Sequence, residues 1–159
     1  MPIARSTALW GHVLTSLVSN AISVVVIILV ALIMGFRSPA GVLSWLAVAG
    51  ILTLFTLALT WIAVTAGLSA KSADGAGVFA FAIHLLPFIS SAFAPTQSMP
   101  TVVRVFAENQ PVTSIVNTIR ALLAGQPVGN GIWLTLAWLL VILIVAYLFA
   151  MRTYKQKAV

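Results

Sequence analysis

The chain has 159 residues, of which 62% are apolar and only 6% are Asp, Glu, Lys or Arg. A soluble domain is usually about 45–50% apolar and about 25% charged, so eight basic and two acidic side chains are too few to keep a protein of this size in water. The composition therefore indicates an integral membrane protein. The net charge of +6 does not indicate nucleic-acid binding, because the basic residues are scattered along the chain. The lack of cysteine excludes disulfides and zinc–thiolate sites.

Four apolar stretches predict membrane-spanning helices, at about 14–36, 42–70, 78–93 and 132–151. A helix crosses the roughly 30 Å hydrocarbon core with about 20 mainly apolar residues, and it satisfies its own backbone hydrogen bonds there. The short segment 37–41 joins the first two stretches, so we expect an antiparallel hairpin. The third stretch contains Pro87, which removes a backbone donor, so we expect a kink or break near that residue. Threonines within the spans, such as Thr65 and Thr135, are predicted to join neighbouring helices by hydrogen bonds.

The residues between the third and fourth spans, 94–131, are predicted to form an ordered amphipathic segment. One helix is expected to begin near Ser98, and a second to run between Pro111 and Gly125 with apolar side chains along one face. The helical part, about 98–125, is too short and too amphipathic to span. We expect it either to lie in the interface or to dip into the membrane and return while packed against protein. The predicted fold class is all-α integral membrane, with four spans and one re-entrant segment.

The basic residues predict the orientation of the chain. The side that holds both termini has five of them and the other side three, namely Arg5, Lys71, Arg152, Lys155 and Lys157 against Arg37, Arg104 and Arg120. The positive-inside rule therefore places both termini in the cytoplasm, including the basic tail 152–159, and the amphipathic segment outside.

The sequence contains no catalytic motif, so the chain is predicted not to be an enzyme. Its two acidic residues, Asp74 and Glu108, are predicted to lie on opposite sides of the membrane, where they cannot act as an acid–base pair. Glu108 is expected to pair either with Arg104, at the i, i+4 spacing, or with Arg120 in a tertiary contact. His84 is the only ionisable residue within a predicted span. It is either a functional group or a neutral imidazole hydrogen-bonded to a Ser or Thr of a neighbouring helix.

The most specific pattern lies between Leu86 and Leu123. A Ser-x-x-Phe-x-Pro-x-x-x-Met-Pro element precedes a Gln-Pro-x-Thr turn and an Arg-Ala-Leu helix, and its residues are Ser90, Phe93, Pro95, Met99, Pro100, Pro111, Thr113 and Arg120. In order and spacing this signature closely resembles the membrane subunits of type-2 ATP-binding-cassette exporters, particularly the daunorubicin-resistance-like permeases. Gln110 stands where many members of that family have Asn.

The resemblance covers residues 1–159 as a single transmembrane permease domain. Residues 1–12 resemble the cytoplasmic segment that docks on the ATPase in that family, which makes Arg5, Ser6 and Lys71 candidates for coupling to the ATPase. The family's fold has about six spans, and this chain resembles its C-terminal portion from just before the third. We therefore expect a chain that lacks the first two spans of the family, or a short relative.

The resemblance implies a multi-pass permease subunit of a bacterial cell membrane, which forms a homodimer and binds a separate ATPase subunit. ATP and Mg would be bound by that ATPase subunit, and no cofactor is expected on this chain. The implied substrates are hydrophobic drugs, antibiotics or lipids. Within the outer re-entrant segment 94–131, residues 95–123 would form a cap near the exit. One alternative is a small autonomous ion-coupled multidrug transporter, which the lack of a membrane carboxylate disfavours. Another is a structural membrane subunit without transport activity.

Overall fold

The computed structural model describes residues 3–69, 73–93 and 95–157, with side chains for 10–69, 77–78, 81–93 and 95–153. These residues form α-helices and short 3₁₀ turns, and no strand occurs among them. The α-helices are α1 (Ile3–Ile33), α2 (Val42–Ser69), α3 (Ala73–Leu85), α4 (Thr101–Asn109), α5 (Pro111–Leu123) and α6 (Gly131–Lys157). The 3₁₀ turns are Leu86–Ile89 and Thr96–Ser98. The predicted all-α fold is confirmed.

Three helices in the described part of the chain are long and apolar enough to cross a membrane. They are Trp10–Ile33 within α1, the whole of α2, and Gly131–Thr153 within α6. The first, second and fourth predicted spans are therefore confirmed. Helix α6 continues past its apolar part to Lys157.

Helices α1 and α2 form the predicted antiparallel hairpin. The indole of Trp61, late in α2, meets that of Trp10, early in α1, edge-on with ring centroids 5.7 Å apart. Towards the other end of the pair, Ile28 of α1 and Trp45 of α2 line the same cleft. Gly35 follows the end of α1 with φ of +94°, a left-handed conformation that glycine adopts without strain.

Helix α6 runs parallel to α2, and this decides the path of the rest of the chain. Val48, early in α2, packs in one cluster with Leu139 of α6. Further along both helices, Thr65 donates a hydrogen bond to the carbonyl oxygen of Ala146 at 3.0 Å, which confirms its predicted interhelical role. Because residue numbers rise in the same direction along both helices, the chain after α2 must return to the opposite end of the protein before α6 begins.

The return is made by α3 and the 3₁₀ turn that follows it, which corrects the third predicted span. The α-helix runs over Ala73–Leu85 instead of the predicted 78–93. Pro87 lacks the N–H that would continue the helix, and the chain tightens into the 3₁₀ turn Leu86–Ile89, so the predicted break is confirmed. The α-helical part rises about 20 Å and the 3₁₀ part about 8 Å. Helix α3 alone is therefore too short to span, but with the turn it nearly matches the hydrocarbon core of roughly 30 Å.

Helices α4 and α5 are the predicted helical pair, and α5 packs against the spanning helices. The hydroxyl of Thr118 in α5 approaches the carbonyl oxygen of Gly131, the first residue of α6. The hydroxyl of Thr135, one turn further into α6, donates to the carbonyl oxygen of Ser114. Helix α5 thus runs antiparallel to the first turns of α6, and Ile115 packs into the cluster formed by α2 and α6. It lies beside the spanning helices instead of beyond their ends.

Trp61 joins all three spanning helices, since it is 3% exposed and its ring contacts both Trp10 and Tyr147. We expect Trp61→Ala to lower the free energy of unfolding by roughly 3 kcal/mol, because the truncation leaves a large cavity in a packed core. Unfolding by SDS in mixed micelles measures the change. Trp133→Ala is the matched control, because Trp133 is 69% exposed. Equal losses in the two variants would contradict the packing described for Trp61.

Candidate functional site: the re-entrant region

Three prolines of the signature set the path of the chain through residues 90–123, called here the re-entrant region. Pro95 precedes the second 3₁₀ turn, Pro100 precedes α4, and Pro111 is the first residue of α5. Proline suits these positions because its φ is fixed and the first N–H groups of a helix have no intrahelical partner. Met99 follows the second 3₁₀ turn and is half-buried. The signature therefore marks the points at which the backbone changes direction.

Ser90 and Thr113 of the signature come together in a buried polar cluster with Ser91. Ser90 is fully buried, and its hydroxyl donates to the carbonyl oxygen of Pro87 at 2.6 Å. The backbone N–H of Ser91 donates to Oγ1 of Thr113 at 3.3 Å, and the Ser91 hydroxyl donates to the amide oxygen of Asn117 at 2.9 Å. These bonds satisfy polar groups next to the break at Pro87, which lipid could not do.

Gln110 completes this cluster, although the sequence marks it only as a departure from the family's Asn. It lies between α4 and α5 and is 4% exposed. Its Nε2 atom lies 3.5 Å from both the carbonyl oxygen of Leu86 and Oγ1 of Thr113. Its buried Oε1 atom has no hydrogen-bond partner among the described residues. The position of Gln110 between two predicted helices could have identified it from the sequence. A polar side chain that is buried between two packed helices needs a hydrogen-bond partner in the protein.

Arg120 and Arg104 bind backbone carbonyl groups. Nη2 of Arg120 donates to the carbonyl oxygen of Ala92 at 3.1 Å, and Nη2 of Arg104 donates to that of Gln97 at 2.7 Å. Within the described part of the chain no ion pair joins Glu108 to either arginine, so both predicted pairings of Glu108 are wrong. The guanidinium groups instead hold the chain around Ala92 against α5 and the second 3₁₀ turn, which contains Gln97, against α4.

The aromatic member of the signature faces outward. Phe93 is 70% exposed and stacks on Phe88, with ring centroids 5.0 Å apart and the ring planes 7° from parallel. Phe88 is also exposed. The signature therefore divides into polar residues that make internal bonds and an aromatic residue that contributes outer surface.

A second buried polar pair, Thr118 with Thr135, joins α5 to α6. The two hydroxyl oxygens lie 2.8 Å apart, and both residues are buried. Oγ1 of Thr118 also lies 3.2 Å from the carbonyl oxygen of Gly131, and Oγ1 of Thr135 lies 3.0 Å from that of Ser114. The two hydroxyl groups have one proton each and make three close contacts, so only two of the three contacts are donated hydrogen bonds at any one time. The interhelical role predicted for Thr135 is confirmed, whereas the sequence did not single out Thr118.

The other candidate residues lie apart from the re-entrant region or outside the described residues. Arg5 and Ser6 lie within α1, but their side chains are not among those described, and Lys71 lies outside the described residues altogether. His84 lies in the last turn of α3 with an exposed side chain. Coupling to an ATPase and a functional role for His84 stay predictions.

An open apolar groove of about 720 Å³ lies at the other end of the protein, between α3 and the later halves of α2 and α6. Ile83 and Phe149 are among the apolar residues that line it, and Thr65 and Ser69 supply the hydroxyl groups of its wall. Among the described residues no group of three His, Cys, Asp or Glu comes together that could hold a metal. The described part of the chain thus has an apolar surface on which a ligand could bind, and its polar side chains are used in hydrogen bonds within the protein.

The Thr118–Thr135 pair yields a direct test of the α5–α6 contact. In a double-mutant cycle with Thr118→Val and Thr135→Val, we expect a coupling free energy of roughly 1 kcal/mol, the size of an interhelical hydrogen bond in a membrane protein. Unfolding of the four proteins in mixed micelles measures it. Replacing Thr53 by Val in place of Thr118 is the control, because the Thr53 hydroxyl bonds only to its own helix, at Ala49. Additive effects of the two valines at 118 and 135 would contradict the contact.

The sequence was compared with models of known protein families. The family of ABC-2 type transporters matches residues 1–124, which include α1 to α5 and the whole signature. No curated protein and no solved structure matches the chain. Because the family match covers well over half of the sequence, the resemblance of the signature to type-2 permeases is confirmed, and the chain belongs to the ABC-2 type transporter family.

Proposed function

We propose that this chain is the membrane-spanning permease subunit of an ATP-driven exporter of hydrophobic compounds, with drugs, antibiotics or lipids as the substrate class. Membership of the ABC-2 type transporter family makes the chain a permease and not a catalytic domain. The observation that supports a hydrophobic substrate is the open apolar groove of about 720 Å³ between α2, α3 and α6. Its wall is almost entirely apolar, so a compound that partitions into lipid can enter it without losing hydrogen bonds to water.

The energy source in this proposal is a separate ATPase subunit, which binds ATP and Mg. The sequence closest to a phosphate-binding loop, 67–72, lacks the glycine before Lys71 that such a loop needs. We place the ATPase contact near Arg5, Ser6 and Lys71. The antiparallel packing of α1 and α2 supports this placement, because α1 begins and α2 ends at the same end of the protein.

We further propose a homodimer in a bacterial cell membrane with both termini in the cytoplasm. The helix directions support a common side for the termini. Helix α1 runs antiparallel to α2, and α6 runs parallel to α2, so the start of α1 and the end of α6 lie at one end of the protein. The predicted excess of basic residues on that side favours the cytoplasm.

Purification together with the ATPase subunit tests the function. We expect the complex to hydrolyse ATP several-fold faster in the presence of hydrophobic compounds, because substrate and ATPase act on the same conformational equilibrium. Arg5→Ala and Lys71→Ala should abolish this stimulation. Arg37→Ala is the control, because Arg37 follows α1 at the opposite end of the protein. Drug transport by the chain alone, driven by a proton gradient in liposomes, would support the ion-coupled alternative, and a chain that neither transports nor stimulates an ATPase would support the structural alternative.

Single cysteines test the orientation, because the chain has none of its own. A membrane-impermeant maleimide added to intact cells is expected to label Thr96→Cys and not Ser72→Cys. Opening the cells should make Ser72→Cys reactive, which controls for a merely buried thiol. Labelling of Ser72→Cys alone in intact cells would reverse the proposed orientation.

A further inference from the structure

The two hydroxyl groups in the wall of the apolar groove between α2, α3 and α6 differ in their hydrogen bonding. Oγ1 of Thr65 lies 2.8 Å from the carbonyl oxygen of Trp61 and 3.0 Å from that of Ala146, so its proton is used by the backbone. Ser69, one turn later in α2, is exposed, and its hydroxyl has no hydrogen-bond partner among the described residues. A serine within a helix often bonds to the carbonyl group four residues earlier. The Ser69 hydroxyl instead has both its proton and its oxygen available to a ligand.

This hydroxyl lies at one end of the groove. Thr65 lies beside Ala146, and α2 runs parallel to α6, so Ile62 and Ile142 mark the opposite end of the groove lining. The seven residues from Ile62 to Ser69 rise about 10 Å along the helix. Ser69 is the last residue of the α2 span, whereas Ile62 lies deeper in it. The groove therefore has a polar end near the membrane surface and an apolar end within the hydrocarbon core.

The lining of the groove suits an uncharged ligand. None of the described residues that line it is ionisable, and apart from Thr65 and Ser69 their side chains are apolar. A charged group would lose its hydration there without gaining an opposite charge, which costs far more than the transfer of a neutral polar group. A hydroxyl or primary amide group can both donate a hydrogen bond to Ser69 and accept one from it.

The dimensions of the groove favour a small molecule over a further helix. Its volume of about 720 Å³ falls within the range of small-molecule sites, about 300–1,000 Å³. A neighbouring helix that spans the membrane is roughly 30 Å long, whereas the lining follows α2 for only about 10 Å. An acyl chain without a polar group would leave the hydroxyl of Ser69 without a partner.

We propose that the groove binds an uncharged amphiphile, such as a long-chain alcohol or a fatty amide, with its polar group at Ser69 and its apolar chain directed towards Ile62 and Ile142. The inference rests on the proposed function and narrows its substrate class. It makes Ser69 the residue that determines specificity. Ser69 precedes by two residues Lys71, the candidate contact of the ATPase, so the polar group of the ligand binds next to the coupling segment.

Photolabelling of the full chain in lipid nanodiscs tests the site and the orientation of the ligand. Decanol is the probe, with a diazirine either beside its hydroxyl or at the far end of its chain. We expect the first probe to label the peptide around Ser69 and Phe149, and the second to label the residues around Ile62 and Ile142. An excess of plain decanol should lower both signals at least fivefold.

Substitution of Ser69 tests the hydrogen bond. We expect Ser69→Ala to weaken the binding of decanol roughly fivefold, the effect of one hydrogen bond. The binding of chlorodecane should not change, because it has no O–H group. Competition with the far-end photoprobe measures both affinities. Ser69→Thr, which retains the hydroxyl, should keep the preference for decanol, and Ser23→Ala is the control because Ser23 is an exposed serine of α1 outside the groove.

Three outcomes would overturn this inference. One is photolabelling of the groove that excess decanol does not lower, which would show that bilayer chains fill it. Another is an absence of label from the groove, which would show that a further helix covers it. The third is an equal loss of affinity for decanol and chlorodecane in Ser69→Ala, or the same loss of decanol affinity in Ser23→Ala.

These measurements need no ATPase, so they separate the ligand site from the proposed function. If the probes label the groove in the expected orientation and no ATPase is stimulated, the site stands and the exporter is wrong. If hydrophobic compounds stimulate the ATPase and Ser69→Ala does not alter the preference for decanol, the exporter stands and the assignment of Ser69 is wrong.

Discussion

Inside a bilayer no water can satisfy a backbone group that leaves the helical pattern, and this constraint acts most strongly where Pro87 interrupts the return of the chain from α2 to α6. The return is obligatory because those two helices run parallel. Pro87 ends regular helix within the returning segment and releases carbonyl groups there. Ser90 binds the carbonyl oxygen of Pro87 through both its backbone N–H and its hydroxyl, and Gln110 lies against the carbonyl oxygen of Leu86. An unsatisfied buried polar group costs on the order of 2–7 kcal/mol, so these contacts stabilise the break.

The same constraint accounts for most of the signature. Thr113 receives the N–H of Ser91, and Arg120 donates to the carbonyl oxygen of Ala92, so each bond connects α5 to the non-helical chain that follows Pro87. Helix α5 is attached in turn to α6 through Thr118 and Thr135. The result is a continuous set of hydrogen bonds from the break in the returning segment to the start of the last span. Its residues position helices, and a substitution among them acts first by displacing α5.

The parts of this fold that follow from uninterrupted apolar length were predictable. Helices α1, α2 and α6 lie where hydropathy places them, and the break at Pro87 follows from the missing N–H. The start of α3 at Ala73 was not predictable from hydropathy, because the helix begins within the polar segment that precedes the apolar run. The choice between an interfacial and a re-entrant α5 needs tertiary contacts, since an amphipathic pattern fits both. The partners of Arg104 and Arg120 were missed because spacing suggests Glu108, whereas the carbonyl oxygens of Gln97 and Ala92 come within reach of the arginines only once the chain has folded.

Hydrogen bonds and open space are distributed unequally between the two ends of the protein. The end that holds α5 has several side-chain hydrogen bonds to backbone between its elements, whereas the larger apolar groove lies at the end that holds Trp61. Packed cores have discrete arrangements and do not deform continuously, so we expect helices to move relative to one another where the larger open space lies. Under the proposed function, force from the ATPase enters near the start of α1 and the end of α2, which is that same end. The α2–α6 pair, the most extensive helix contact in the described part of the chain, connects that end to the end that holds α5.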